Sequence, residues 1–96
     1  MRATAHAAVY AEVIEQAHYV ERQRRGYGDR FLLAFEKARD YPITHPLAGH
    51  PDQFGTRSVS ITGFSHDLVY IIRGDLLLII AVAHHRRRPG YWSDRL

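Results

Sequence analysis

The sequence predicts an α+β fold in which an antiparallel helical hairpin packs on a small antiparallel sheet of three to four strands. Three observations predict it. Apolar residues recur with helical period from Ala7 to about Gln23. A glycine-broken join leads straight into a second helical stretch. The chain then changes to alternating and β-branched runs, ending in eight unbroken apolar residues, Leu76–Ala83.

In the first helix, Tyr10, Val13, Ile14, Ala17 and Val20 form the predicted core stripe, with Glu12, Glu15, Gln16 and Arg22 mostly off it. Gly26 and Gly28 interrupt the pattern, and Asp29 is placed to cap the next helix. That second helix is expected from Asp29 to about Arg39, with Phe31, Ala34, Phe35 and Ala38 inward and Tyr41 extending the stripe. Leu32 and Leu33 widen its apolar surface. A short join makes the two helices antiparallel neighbours. Pro42, Pro46, Gly49 and Pro51 then predict a loop of about a dozen residues, Pro42–Phe54.

Thr56–Thr62 alternates, so Arg57 shares a face with Val59 and Ile61. An Arg on that face belongs at an open sheet end or facing a groove. Leu68–Ile72 is a β-branched run, Arg73-Gly74-Asp75 is a hairpin turn, and Leu76–Ala83 is the following strand. Because Leu76–Ala83 is apolar on both faces, it is expected in the centre of the sheet, covered on both sides. A strand at Arg2–Ala5 would make the fourth, against the helical preference of four alanines among the first eight residues.

Ninety-six residues predict a single domain over 1–96. The formal charge is +3, and twelve of the thirteen basic residues are Arg, the side chain suited to phosphate or carboxylate. There is no Cys, no signal-peptide pattern and no apolar run near the ~20 residues that span a bilayer. A cytoplasmic protein without membrane attachment is the expectation. The seven His lack ligand spacing, so neither a metal nor a cofactor is expected. Gly26-Tyr27-Gly28 follows a helix and is no phosphate loop.

The chemistry concentrates in the last thirteen residues, from His84-His85-Arg86-Arg87-Arg88 through Pro89-Gly90 to Tyr91-Trp92 and Leu96. The Arg run suits phosphate or an acidic protein groove alike. Imidazoles beside guanidinium groups can also cleave a phosphodiester without metal: one group activates the 2′-hydroxyl, Arg stabilises the phosphorane, another group protonates the leaving oxygen. Strand alternation sets His84 and His85 on opposite sides. Trp92 is either a plug for the core edge or a platform for a partner.

The run Ile80-Ala81-Val82-Ala83-His84-His85-Arg86-Arg87-Arg88-Pro89-Gly90-Tyr91-Trp92, with Arg95 following, resembles the RelE/ParE superfamily of bacterial type II toxin–antitoxin and plasmid-stabilisation toxins, closer to its ParE-like members. Gly26–Leu32 is similar to the family's turn into the second helix, and Arg57–Tyr70 to its two middle strands, with Phe64-Ser65-His66-Asp67 where a Phe-Pro-Tyr-like turn is usual. The N-terminus departs from the pattern, since Met1–Ala8 is Ala-rich where members begin with a clear strand.

The resemblance implies a growth-arresting toxin neutralised by a cognate ParD- or RelB-like antitoxin in a hetero-oligomer. Two targets are implied. ParE-like members inhibit DNA gyrase, and their contact residues here would be His84, His85, Arg86, Arg87, Arg88, Tyr91 and Trp92. RelE-like members cut messenger RNA on the ribosome, which would make Arg57, Arg73, His85, Arg87 and Tyr91 catalytic; the single Lys, Lys37, lies on the second helix. A non-toxic descendant that binds only an antitoxin is the third reading. Expected antitoxin contacts are Leu32 and Leu33, with Arg86 and Arg88 taking acidic side chains.

Overall fold

The computed structural model describes residues 1–96. Its elements in chain order are β1 (Arg2–Ala5), α1 (Ala7–Gln23), α2 (Tyr27–Thr44), β2 (His50–Pro51), β3 (Arg57–Ser60), β4 (His66–Arg73) and β5 (Leu76–His84). Short 3-10 turns cover Gln53–Gly55 and Ser93–Arg95.

The α1 bounds match the periodicity, but the helix is rolled relative to the predicted stripe. Val9, Val13 and Val20 are buried, whereas Tyr10 and Ile14 remain 64% and 59% exposed. Glu12 and Gln16 turn inward instead, because each meets a polar partner on the sheet that offsets its desolvation. His6 caps the helix, its Nδ1 accepting from Ala8 N–H at 3.1 Å.

Helix α2 starts before Asp29. Gly26, at φ 89°, makes the turn, and the carboxylate of Glu21 on α1 accepts from Gly26 N–H (3.1 Å) and Gly28 N–H (2.8 Å). The cap therefore comes from the neighbouring helix, and Asp29 sits inside the first turn, where its charge favours the helix dipole. The Gly26 and Gly28 amides hold the Glu21 carboxyl below its ordinary range. Helix α2 also runs through Pro42, the residue expected to end it, as far as Thr44. A proline in the last turn forfeits one amide bond, and burial of its ring offsets that loss.

The helical hairpin on a sheet is as predicted, but the sheet has five strands, ordered β1-β5-β4-β3-β2. Strand β1 forms despite its alanines and lies parallel to β5, Arg2 opposite Leu76 and Ala5 opposite Ile79. Pairing with a central strand overrides the local preference. The extra member, β2, is a two-residue pairing with β3 from within the predicted loop.

Strands β4 and β5 pair from His66↔His84 to Arg73↔Leu76, with one irregularity: Val69 faces Ala81 while Tyr70 faces Ile79. Ile80 is the extra residue of a β-bulge. Leu77 and Ile79 point to the helices before it, and Val82 and His84 after it. The main core joins Val9, Val13, Val20 and Phe31 to Leu68, Tyr70, Leu77, Ile79 and Val82. The opposite face holds a second cluster, Val69, Ile80, Ala81 and Trp92. The two-sided cover expected for Leu76–Ala83 is thus helices on one side and the C-terminal tail on the other.

Candidate functional site

Strand β1 ends at Ala5, and His6 N–H takes the carbonyl of Ile79 at 2.9 Å. Beyond that point the edge of β5 has no neighbouring strand. Two side chains complete it. Glu12 accepts from Val82 N–H at 3.1 Å, and Arg95 donates to the Ile80 carbonyl at 3.0 Å. These side chains also form a bidentate ion pair, 2.8 and 2.9 Å, and the Tyr91 hydroxyl donates to Glu12 at 2.6 Å. The carboxylate of α1 therefore clasps the tail to the sheet.

Burial opposes ionisation of Glu12, but the Arg95 and Tyr91 bonds and the Val82 amide outweigh it and hold the carboxyl below its ordinary range. The same contacts raise Arg95 through the Glu12 hydrogen bond. Burial, then the bond to the carboxylate, raises the Tyr91 phenol. Tyr91 is therefore a fixed neutral donor. Its ring carries the guanidinium of Arg87, stacked 3.9 Å from the centroid. Trp92 is only 3% exposed, so it plugs the second cluster and presents no free platform.

Arg86, Arg87, Arg88 and His85 are exposed along the tail. His85 Nε2 lies 3.1 Å from Asp67 Oδ1 across the β4–β5 pair. His84 turns to the helix side, edge-on to Tyr19 and His66, and its Nδ1 accepts from Arg86 N–H at 3.0 Å. Burial, then the nearby Arg86 and His85, lowers its pKa. The two histidines thus part as alternation predicts. Between tail and sheet lies a cleft of about 320 Å³, lined by Asp52, Asp67, His85, Arg87, Arg88 and Trp92 among others.

Other candidates lie apart from this group. Arg57 donates to the carbonyls of Leu47 (3.2 Å) and Gly49 (2.8 Å), beside Tyr70, whose hydroxyl donates to Pro46 and accepts from Gly49 N–H. It ties down the loop after α2. Arg73 is at the far end of β4, seven residues from His66 or about 23 Å along an extended strand. Leu32 and Leu33 open outward from α2 into grooves of their own, Leu33 beside Lys37 and Tyr41, Leu32 beside Ile14 and His18. Neither adjoins Arg86 or Arg88.

The sequence reading missed the role of Glu12 and the clasp it forms with Tyr91 and Arg95, and it missed the buried His66. His66 Nε2 is 2.7 Å from the Gln16 side-chain oxygen, its Nδ1 has no partner, and Phe31, Phe64 and His84 surround the ring. Burial, then His84 and His85, pushes its pKa down to about 4. A stripe drawn through Val9, Glu12, Val13, Gln16 and Val20 has the same period as the predicted one and would have placed Glu12 inside, in need of a cation.

A family model described as the ParE toxin of the type II toxin–antitoxin system parDE matches residues 6–89. The chain belongs to the ParE toxin family. This ParE-family protein is accordingly the toxin component of a type II toxin–antitoxin system, and that context implies a cognate antitoxin. No curated protein matches it significantly in sequence. The matched segment contains Glu12 and the Arg run but stops short of Tyr91, Trp92 and Arg95, so half of the toxin's clasp lies beyond it.

Proposed function

We propose that this toxin arrests growth by poisoning DNA gyrase, with the exposed cationic tail, His85 to Arg88, as its contact surface and a ParD-like antitoxin as its inhibitor. One observation carries the choice of target. The groups that a metal-independent nuclease would need do not converge: Tyr91 is committed to Glu12, Arg57 to the loop after α2, and Arg73 to the opposite end of β4. What remains at the end of β5 is a row of guanidinium groups on a fixed base. That suits recognition of an acidic protein surface.

The antitoxin arm has an apolar place to lie. A groove of about 300 Å³ beside β1 is lined by Ala3, Ala5, Tyr10, Ile14 and Phe35. The outer edge of β1 has no strand partner, so the arm can enter as an added strand or an amphipathic helix. Acidic residues of the arm would reach the Arg run separately. No helix is long and apolar enough to cross a membrane; a toxin acting on gyrase works in the cytoplasm.

The His85–Asp67 pair beside Arg87 keeps messenger-RNA cleavage as a second reading. Purified toxin added to gyrase and, separately, to translating ribosomes decides between them. Blocked supercoiling with gyrase-dependent DNA breaks and intact message is the expected result. Chelator-resistant cuts at codon positions, lost in folded His85→Ala or Arg87→Ala protein, would overturn it. Expression without growth arrest, alongside tight antitoxin binding, would instead identify a non-toxic descendant.

A further inference from the structure

Phe54 stands in an expensive position that the fold does not require. It is the one non-glycine residue with positive φ, at φ 59° and ψ 31°, a region that glycine and asparagine enter far more readily. The residue is 65% exposed. The turn around it is tightly built. Asp52 Oδ1 accepts from Gln53 N–H at 2.7 Å, Thr56 donates its hydroxyl (2.6 Å) and its amide (3.2 Å) to the Gln53 carbonyl, and Asp52 N–H donates to the Thr56 carbonyl at 2.8 Å. Thr56 itself is buried. None of these bonds uses Phe54. Glycine at this position would make the same turn without strain, so the turn itself does not explain a phenylalanine here, and a strained, exposed residue points to a task beyond the turn.

The ring's place says which task. It meets Trp92 edge-on with centroids 6.4 Å apart, and its Cε2 lies 3.9 Å from where a Cβ on Gly90 would stand. Phe54 thus adjoins the Pro89-Gly90 turn of the tail, next to the cleft that holds His85, Arg87 and Arg88. An exposed aromatic next to a cleft that carries two arginines has the composition of a binding hot spot. Asp52 and Asp67 line the same cleft. These carboxylates break the cleft's positive charge into a mixed pattern, which fits a protein surface carrying both signs around an apolar pocket better than the uniform anionic row of a phosphodiester backbone.

We infer that Phe54 is an anchor residue for the target enzyme, inserting into an apolar pocket on gyrase while the arginines of the adjoining cleft take acidic side chains beside it. The inference rests on gyrase being the target and names a contact outside the basic run. The test compares wild type, Phe54→Gly and Phe54→Trp in gyrase supercoiling inhibition, thermal melting and binding to the cognate antitoxin. Phe54→Gly should melt within about 5 °C of wild type, because relief of the backbone strain offsets the lost Trp92 contact, keep its antitoxin affinity and inhibit gyrase about tenfold or more less effectively. Phe54→Trp should retain inhibition. Inhibition by Phe54→Gly equal to wild type would overturn the anchor and leave the target standing, as would a loss confined to antitoxin binding. Wild type that leaves gyrase untouched would remove the target, and the anchor with it.

Discussion

Replacing Glu12 by Ala should loosen the tail before it unfolds the core. The substitution removes the acceptor for Arg95, Tyr91 and Val82 at one stroke. The paired side chains are 13% and 16% exposed, and breaking a buried ion pair from one side costs about 3–5 kcal/mol. The tail is terminal and can lift, giving Arg95 back to water, so the lower end applies, about 3 kcal/mol. In a chain of this length each kcal/mol moves Tm by roughly 4–8 °C, giving a fall of roughly 12–24 °C. Glu12→Gln keeps the shape and one acceptor, and about half that loss is expected. Trp92 is the single tryptophan, so its emission reports directly on the tail. A red shift that precedes loss of the far-UV helical signal on heating is expected in Glu12→Ala. A Tm within about 2 °C of wild type with unshifted emission would refute the reasoning, because the clasp would then carry no stability.

Stability should also fall with acid in a defined window. His66 is held neutral when folded, with its pKa at about 4 against an ordinary 6.5, so below pH 6.5 the unfolded chain binds a proton that the folded chain refuses. Unfolding free energy should drop by about 3 kcal/mol between these values, and His66→Leu should flatten the slope in denaturant titrations across that range. The Glu12 carboxyl works at lower pH: its contribution is complete above its ordinary 4.5 and drains as pH falls through the depressed folded value, so Glu12→Gln should reduce the acid sensitivity that remains below pH 4.5. Gly28→Ala should destabilise by about 1–3 kcal/mol in thermal melts, since the new Cβ would stand 3.0 Å from Glu21 Oε1 and 3.1 Å from the Ala17 carbonyl where the helices meet. Arg57→Ala should lower Tm by releasing the Leu47–Gly49 loop, at about 1–2 kcal/mol, while gyrase inhibition measured well below that Tm stays at wild-type level; lost inhibition with an unchanged Tm would make Arg57 part of the working surface.

Much of the architecture was legible because it rests on local pattern. The bounds of α1 and, to within two residues, those of the two long strands follow from periodicity and from the Arg73-Gly74-Asp75 turn, both short-range signals. Strand β1 was only half legible, because its alanines become a strand through β5, more than seventy residues away in sequence. Helix α2 outran its predicted ends for a similar reason: Glu21, outside the helix, supplies its cap, and tertiary packing shelters Pro42. Of the candidate site, the exposed Arg run could be read from composition. The clasp could not, since Glu12 and Arg95 are joined only when the edge of β5 leaves Ile80 and Val82 unpaired. Phe54 carried no sequence signal either, as a left-handed phenylalanine looks like any other until its dihedral angles are known.

The bulge at Ile80 works as a phase shifter. With strict two-residue alternation from Leu77 onward, His84 would emerge on the side away from the helices and His85 would replace it against Tyr19. The one supernumerary residue swaps their places. Which imidazole is sheltered and which meets the outside is thus encoded in a count of backbone units and not in the identity of any side chain nearby. Homologous toxins that keep the His-His-Arg sequence but lose or gain a residue in this strand would present an inverted terminus, so length between the hairpin and the histidines should discriminate working relatives better than residue similarity does.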